Sequence, residues 1–154
     1  MVMDYVKDKN NLLTHSQWST GEYDNTLSIV DWTGQKSEIS SNYSSVGETS
    51  YKITRIEDSQ YWSDIILAQS LSSYTVSCNI YSPSANGYLF AVTRYSDGTT
   101  TDSYVGFTAM DKIQSVSCNG IVTSGKTVSR VTLRIAGGSK DNSVYMDNPS
   151  IVGS

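Results

Sequence analysis

The feature that most constrains this chain is a two-residue alternation of apolar and polar side chains within short segments. In segment 73–81, Tyr74, Val76, Cys78 and Ile80 alternate with small or polar residues. Successive side chains of a β-strand point to opposite faces, so this pattern is typical of a half-buried strand. No stretch of a dozen residues keeps a helical period. The chain is therefore predicted to be all-β.

Turn-forming residues separate the alternating segments at regular intervals. Asp97-Gly98, for example, predicts a hairpin tip after segment 87–95. So many short strands in 154 residues indicate one β-sandwich or barrel domain. The predicted strands are 49–56, 62–68, 73–81, 87–95, 103–109, 113–123, 128–136 and 143–152.

Charge and hydropathy exclude some partners. The chain has 11 basic and 15 acidic residues, for a net charge of −4, so it lacks the basic surface of a nucleic-acid-binding protein. No apolar run approaches the roughly 20 residues of a membrane span, so we expect a soluble domain without membrane insertion. Residues 1–10 lack the features of a signal peptide and are interpreted as a leader or linker before a domain at 11–154.

Two cysteines are too few for a disulfide framework or a zinc site. Cys78 shares a strand face with Val76 and Ile80, and Cys118 shares one with Val116. Both are therefore interpreted as core residues. Two buried free thiols are the preferred reading over a bridge between strands, because a buried cysteine behaves as a small hydrophobic residue.

Four segments, in their order along the chain, resemble the jelly-roll carbohydrate-binding modules appended to xylanases and cellulases, whose relatives occur in phage tail and receptor-binding proteins. The resemblance covers about 11–152. Its segments are 11–13 (NLL) with Trp18 and Gly21, 47–54 (GETSYKIT), 73–77 (SYTVS) and 144–152 (VYMDNPSIV).

The resemblance implies a jelly-roll sandwich of two antiparallel sheets that binds an oligo- or polysaccharide without chemically altering it. It also implies a structural calcium ion near the first strand and Asp147. Ser19 stands where related modules have an acid, which removes one expected oxygen ligand. The alternative is that Asp147 accepts hydrogen bonds from backbone N–H groups.

The search for catalytic residues favours a protein that is not an enzyme. His15 is the only histidine, and no nucleophile elbow accompanies it. Glycoside hydrolysis requires two carboxyl groups that flank the scissile bond. No pattern pairs any two of the scattered acids Glu48, Glu57, Asp58, Asp64, Asp97, Asp102, Asp111 and Asp147.

Aromatic residues are the informative candidates for a binding site. Flat rings stack on the C–H faces of sugars, and fixed polar groups bind the sugar edges. Segment 87–95 is apolar on both faces, so one face is expected to pack inward while the other forms an apolar exterior or groove. Trp62 either packs beneath the turn at 57–61 or faces this groove, whereas Trp18 is assigned to packing. The predicted ligand-binding residues are Trp32, Tyr61, Trp62, Tyr88, Arg94, Tyr95 and Tyr104, with Gln60, Asp64, Asn86 and Asp102 as further polar partners.

Two functions remain open at this stage. The first is a noncatalytic glycan-binding module of a larger extracellular, cell-surface or virion protein. The second is a structural, adhesive or receptor-binding tip domain of a phage tail fibre or cell-surface protein that acts through homo-oligomerisation. Several exposed rings on one face would favour the first, and an apolar patch without polar groups would favour the second.

Overall fold

The computed structural model of the chain describes residues 11–13, 29–43 and 50–153. Within these residues it contains ten strands in two antiparallel sheets of five strands each. The strands are β1 (Ile29–Asp31), β2 (Gln35–Ser40), β3 (Ser50–Arg55), β4 (Trp62–Leu67), β5 (Tyr74–Ser82), β6 (Gly87–Tyr95), β7 (Thr100–Phe107), β8 (Met110–Asn119), β9 (Val128–Ala136) and β10 (Ser143–Gly153).

The two sheets pack face to face as a jelly-roll sandwich. The sheet with the order β1-β4-β9-β6-β7 is called the front sheet, and the sheet with the order β2-β3-β10-β5-β8 is called the back sheet. From β3 to β6, each strand lies in the opposite sheet from the strand before it, so most connections cross between the sheets. The predicted all-β class and jelly-roll architecture are confirmed. In the described part of the chain, no helix is long and apolar enough to span a membrane.

All eight predicted strands are present, but the sequence did not predict β1 and β2. Strand β1 is only three residues long, and Val30 within it and Trp32 directly after it are exposed. Strand β2 pairs with β3 at the edge of the back sheet and carries one large apolar side chain, Ile39. Neither segment buries an alternating apolar face, so neither carries the signal that predicted the others.

The core lies between the sheets and is built from the inward-facing half of each long strand. Leu89 and Ala91 of β6 and Leu133 of β9 are fully buried from the front sheet, and Val76 and Ile80 of β5 meet them from the back sheet. Full burial of one such large apolar side chain contributes about 1.5–3 kcal/mol. Cys78 and Cys118 are buried free thiols, which confirms their assignment to the core.

The hairpin predicted at Asp97-Gly98 joins β6 to β7. Gly98 has a φ of 87°, a backbone conformation that glycine adopts without steric cost. The Asp97 carboxylate accepts hydrogen bonds from the Thr99 hydroxyl (2.6 Å) and the Thr99 backbone N–H (2.9 Å). These bonds, together with nearby Lys126, lower the pKa of Asp97 to about 2.

The prediction that Tyr95 is exposed at the strand end and available to ligand is wrong. Tyr95 is only 1% exposed, because it points to the same inward face as Leu89 and Ala91. Its hydroxyl lies 2.8 Å from Thr101 Oγ1 and accepts a hydrogen bond from the Thr123 backbone N–H at 2.8 Å. Tyr95 is therefore a core residue whose hydroxyl holds the 121–123 segment against β7.

We expect Tyr95→Ala to lower the free energy of unfolding by about 3–5 kcal/mol, because it leaves a large cavity. Tyr95→Phe keeps the ring but leaves the partners of the hydroxyl unsatisfied, and should lower it by about 1–3 kcal/mol. Urea denaturation followed by tryptophan fluorescence measures both variants. A stability of Tyr95→Ala within 0.5 kcal/mol of the parent, roughly the range of a surface substitution, would refute the assignment to the core.

Alkaline pH should destabilise the domain through two buried groups. Burial raises the pKa of Tyr74 to about 12 and raises the pKa of Cys78 well above its ordinary value of 9.0. Both groups stay neutral in the folded domain while the unfolded chain already ionises. The stabilisation is therefore complete below about pH 9 and is lost progressively as pH rises toward 12.

Urea titrations between pH 8 and pH 11, with a reductant present, check this dependence. Cys78→Ala should flatten the fall in unfolding free energy above pH 9, because it removes one of the two groups. An unchanged slope in Cys78→Ala would show that Cys78 makes no contribution.

Candidate functional site

The outer face of the front sheet, which we call the front face, gathers the outward-pointing half of four neighbouring strands. The cross-strand register places Asp64, Arg134, Phe90 and Tyr104 in one row across β4, β9, β6 and β7. The adjacent row begins with Trp62. Because the same strands carry the core on their other face, their backbone holds these outward side chains in fixed positions.

One part of the front face is an aromatic hollow of about 230 Å³. Tyr104 is 65% exposed and Tyr88 is 46% exposed, so their rings are open to a ligand. The Tyr88 and Tyr104 rings meet edge to face with centroids 5.7 Å apart, and Phe90 lies 5.5 Å from Tyr104. The hollow is lined by Tyr61, Trp62, Tyr88, Phe90, Tyr104 and Ala136.

Beside it lies a polar hollow, also of about 230 Å³. Strands β4, β9 and β6 contribute to both hollows, so the two lie on one continuous surface. Charged side chains dominate this part of the front face. The polar hollow is lined by Trp32, Asp64, Ile66, Val92, Arg94, Thr100, Asp102, Arg130, Thr132 and Arg134.

An ion pair connects the two hollows. Arg134 donates to Asp64 through Nε (2.7 Å) and Nη2 (3.0 Å), a two-point geometry that fixes both side chains. Asp64 Oδ2 also accepts a hydrogen bond from Trp32 Nε1 at 3.0 Å. Both carboxylate oxygens therefore have hydrogen-bond partners, as a charged side chain that is only 4% exposed requires.

The same ion pair positions the two tryptophans. The Arg134 guanidinium carbon lies 5.1 Å from the Trp32 ring centroid and 5.0 Å from that of Trp62. The two indole rings meet edge to face with centroids 4.9 Å apart. Arg55 stacks on the Tyr61 ring at 3.6 Å and holds that ring at the rim. The aromatic surface is therefore ordered before any ligand arrives, which lowers the entropic cost of binding.

The structure brings together six of the seven predicted ligand-binding residues. Trp62 faces the groove, as one of its two interpretations predicted, and Tyr95 is the exception described above. Of the further polar candidates, Asp64 and Asp102 line the polar hollow. Asn86 instead accepts a hydrogen bond from the Ala109 N–H, and Gln60 bonds to Thr33 in a neighbouring turn. The six residues are Trp32, Tyr61, Trp62, Tyr88, Arg94 and Tyr104.

Sequence reasoning missed several residues of the front face, among them Phe90, Arg130 and Arg134. Arg130, Thr132 and Arg134 alternate with buried apolar residues along β9, so their outward direction was readable from the two-residue period. Nothing in the sequence indicated that β9 lies between β4 and β6, where these arginines meet Asp64 and Arg94.

The two carboxylates of the polar hollow lie on strands that are not neighbours. Asp64 lies on β4 and Asp102 on β7, with β9 and β6 between them. Three strand spacings of roughly 4.8 Å separate their backbones by about 14 Å. Glycoside hydrolysis requires two carboxyl groups that flank one bond. Asp64 is also neutralised by Arg134.

Asp147 lies on the back sheet, far from the front face. It is 3% exposed, and its Oδ1 accepts a hydrogen bond from the Asn148 backbone N–H at 2.9 Å. Within 11–13, 29–43 and 50–153, no three His, Cys, Asp or Glu side chains cluster as metal ligands. Ser19 and its neighbours, which the resemblance places at the calcium site, lie outside the described residues, as do His15 and Trp18. The calcium ion stays a prediction.

The fold is shared with solved carbohydrate-binding modules. The xylan-binding domain CBM22-1 of Paenibacillus barcinonensis Xyn10C is 16% identical, with a TM-score of 0.64 over 81% of this chain and 85% of that chain. TmCBM61, solved in complex with β-1,4-galactotriose, is 13% identical, with a TM-score of 0.59 over 94% of this chain and 99% of that chain.

A phage protein contains the same sandwich. The enzymatically active domain of tailspike protein 4 of bacteriophage CBA120 is 9% identical, with a TM-score of 0.67 over 94% of this chain but only 21% of that chain. No protein-family model matches the chain, and no curated protein is similar to it in sequence. At these identities the similarities show the fold.

We expect Asp64→Ala to lower the free energy of unfolding by about 3 kcal/mol, because it leaves the Arg134 guanidinium largely buried and unpaired. The double variant Asp64→Ala/Arg134→Met should be more stable than Asp64→Ala alone, since it removes the orphaned charge. Urea denaturation of the two single variants and the double variant measures this coupling. Strictly additive effects would show that the pair does not act as a unit.

Proposed function

We propose that this domain is a noncatalytic glycan-binding module and that the front face is its binding site. The observation that carries the proposal is the union, on one rigid sheet, of exposed aromatic rings with a hollow lined by charged and hydroxyl groups. Tyr88 and Tyr104 offer ring surface, and Arg94 and Asp102 offer polar groups beside them. Binding sites for small molecules combine apolar walls with a few placed polar groups in this way.

The chemistry of sugars matches this surface. A pyranose ring presents a flat face of C–H groups, which stacks on an aromatic ring, and an edge of hydroxyls, which needs hydrogen-bond partners. Tyrosine and tryptophan supply rigid contact area at low entropic cost. Along β6, the distance from Tyr88 to Arg94 spans six residues, or about 20 Å, so the front face suits an oligosaccharide rather than a single sugar.

Two further observations support the proposal. Among the solved structures with this fold, one is described as a xylan-binding domain and another contains β-1,4-galactotriose. In addition, Arg134 and Trp32 already bond to the Asp64 carboxylate, which opposes its use as a catalytic acid or nucleophile. We therefore propose binding without catalysis, within a larger extracellular or virion protein.

A receptor-binding tip of a phage tail protein is the second candidate, and the similarity to the tailspike favours it. That assignment is compatible with glycan binding, because such a tip can recognise a surface polysaccharide. Oligomerisation stays a prediction. The polar groups beside the aromatic rings favour a sugar ligand over an apolar contact between copies.

We predict that Tyr104→Ala and Trp62→Ala each weaken oligosaccharide binding at least tenfold, or about 1.4 kcal/mol, because each removes a stacking surface. A glycan array identifies ligands, and isothermal titration calorimetry measures the affinity of each variant. Tyr104→Ala should leave thermal unfolding nearly unchanged, since Tyr104 is 65% exposed.

The matched control is Tyr43→Ala. Tyr43 is also exposed, but it lies against Tyr81 and Tyr145 on the outer face of the back sheet. This control should retain full affinity. If the front-face variants bind as well as the parent, or if no glycan on the array binds, the proposed site is wrong.

A further inference from the structure

Two arginines on the front face lie in an unfavourable arrangement. Arg94 of β6 and Arg130 of β9 are directly opposite each other in the antiparallel ladder. Both line the polar hollow, so both side chains lie on the outer face of the sheet. Like charges directly opposite each other destabilise a sheet. Such a pair at the centre of a sheet therefore needs an explanation beyond folding.

Among the described residues, no side chain forms an ion pair or a hydrogen bond with either guanidinium. Ion pairs within 4.0 Å form between Arg55 and Asp58, Lys126 and Asp97, and Arg134 and Asp64. Neither Arg94 nor Arg130 takes part in any of these, and in the described part of the chain neither guanidinium has a hydrogen-bond partner. Asp102 lines the same hollow but lies beyond ion-pair distance of both.

The polar hollow is therefore locally positive in an acidic protein. Its lining contains three arginines and two aspartates, and Arg134 already neutralises Asp64. Arg94 and Arg130 remain against the single carboxylate of Asp102, which leaves one positive charge. The whole chain carries a net charge of −4, so this excess is a local property of the front face.

From this arrangement we infer that the glycan bound at the front face is acidic and carries a carboxylate, as a uronic acid does. The inference rests on the proposed function and adds the substrate class. A guanidinium fork matches a carboxylate in two-point hydrogen bonding, and two adjacent forks can hold one anionic group. The carboxylate would replace the missing counter-charge while a neighbouring sugar ring stacks in the aromatic hollow.

The length of the front face is sufficient for one sugar unit to stack in the aromatic hollow while another binds the two arginines. From Phe90 to Arg94, β6 spans four residues, or about 13 Å, so the stacking site and the arginine pair contact different sugar units of one chain. The aromatic hollow then contributes affinity that does not depend on charge. The arginine pair discriminates acidic from neutral polysaccharides.

The test compares glycans that differ in charge, with one pair that shares the same backbone. Calorimetry compares oligogalacturonate with its methyl ester, which removes the charge, and with neutral xylo- and galacto-oligosaccharides and a sulfated oligosaccharide. We expect the oligogalacturonate to bind at least tenfold more tightly than its ester, and its affinity to fall with added salt.

The variant pair assigns this preference to the two arginines. Arg94→Gln/Arg130→Gln should abolish the difference between acid and ester. Its thermal unfolding should be unchanged or raised, because a like-charge contact is removed. Lys112→Gln/Lys140→Gln removes two positive charges from exposed positions elsewhere and should keep the preference.

Each remaining outcome is decisive. The acid and the ester could bind equally well, with both losing affinity in Tyr104→Ala. This result would overturn the inference that the ligand is acidic and would leave the proposal of glycan binding intact. Tighter binding of the sulfated probe would overturn the inference that the anionic group of the ligand is a carboxylate. An acid preference that survives in Arg94→Gln/Arg130→Gln would overturn the role of the arginines. Failure of every glycan to bind would overturn both the inference and the proposed function.

Discussion

The alternation of side chains along β6 and β9, at the centre of the front sheet, is the constraint on which the rest of this structure depends. Leu89, Leu133 and Ile135 fill the core from one side of these strands, and Phe90 and Arg134 build the front face from the other. A shift of one residue in register would exchange the two sets. The same hydrophobic burial that stabilises the domain thus also fixes the geometry of the site.

On the front face, the Asp64 carboxylate holds Arg134 and Trp32 in place through hydrogen bonds. It is almost fully buried although it lies on the outer face of the sheet, where Arg134 and the Trp32 indole N–H bond to it. A buried charge is tolerated only when it is paired and hydrogen-bonded, and Arg134 and Trp32 satisfy both requirements. The pairing leaves Asp64 with an organising role and holds Arg134 beside the Trp32 and Trp62 rings.

The jelly-roll sandwich is common to different proteins, including a xylan-binding domain and a tailspike domain. A fold shared at such low identity positions loops and strands but does not determine what they bind. Glycan binding by this domain would therefore depend on the residues of its front face. Its aromatic rings are the basis for the proposed sugar ligand, and Arg94 and Arg130 are the basis for the proposed preference for acidic sugars.

The sequence by itself determined the all-β class, the eight long strands and the surplus of aromatic residues, because a two-residue period is a local property of the chain. The hairpin at Asp97-Gly98 was also predictable, since its turn chemistry is contained in adjacent residues. Tyr95 was misjudged because its place near a strand end was given more importance than its shared face with Leu89. The short edge strands β1 and β2 were missed because neither carries an alternating apolar face.

Only the tertiary structure decided which strands are neighbours. The ion pair of Arg134 with Asp64, and the cross-strand pairing of Arg94 with Arg130, join residues 70 and 36 positions apart in the chain. No local pattern encodes such pairings, because they follow from the order β4-β9-β6 that the packing of the whole sandwich selects. The sequence therefore determined which side chains were available for a site. The tertiary structure decided which of them meet, because that depends on how distant strands pair to bury a common core.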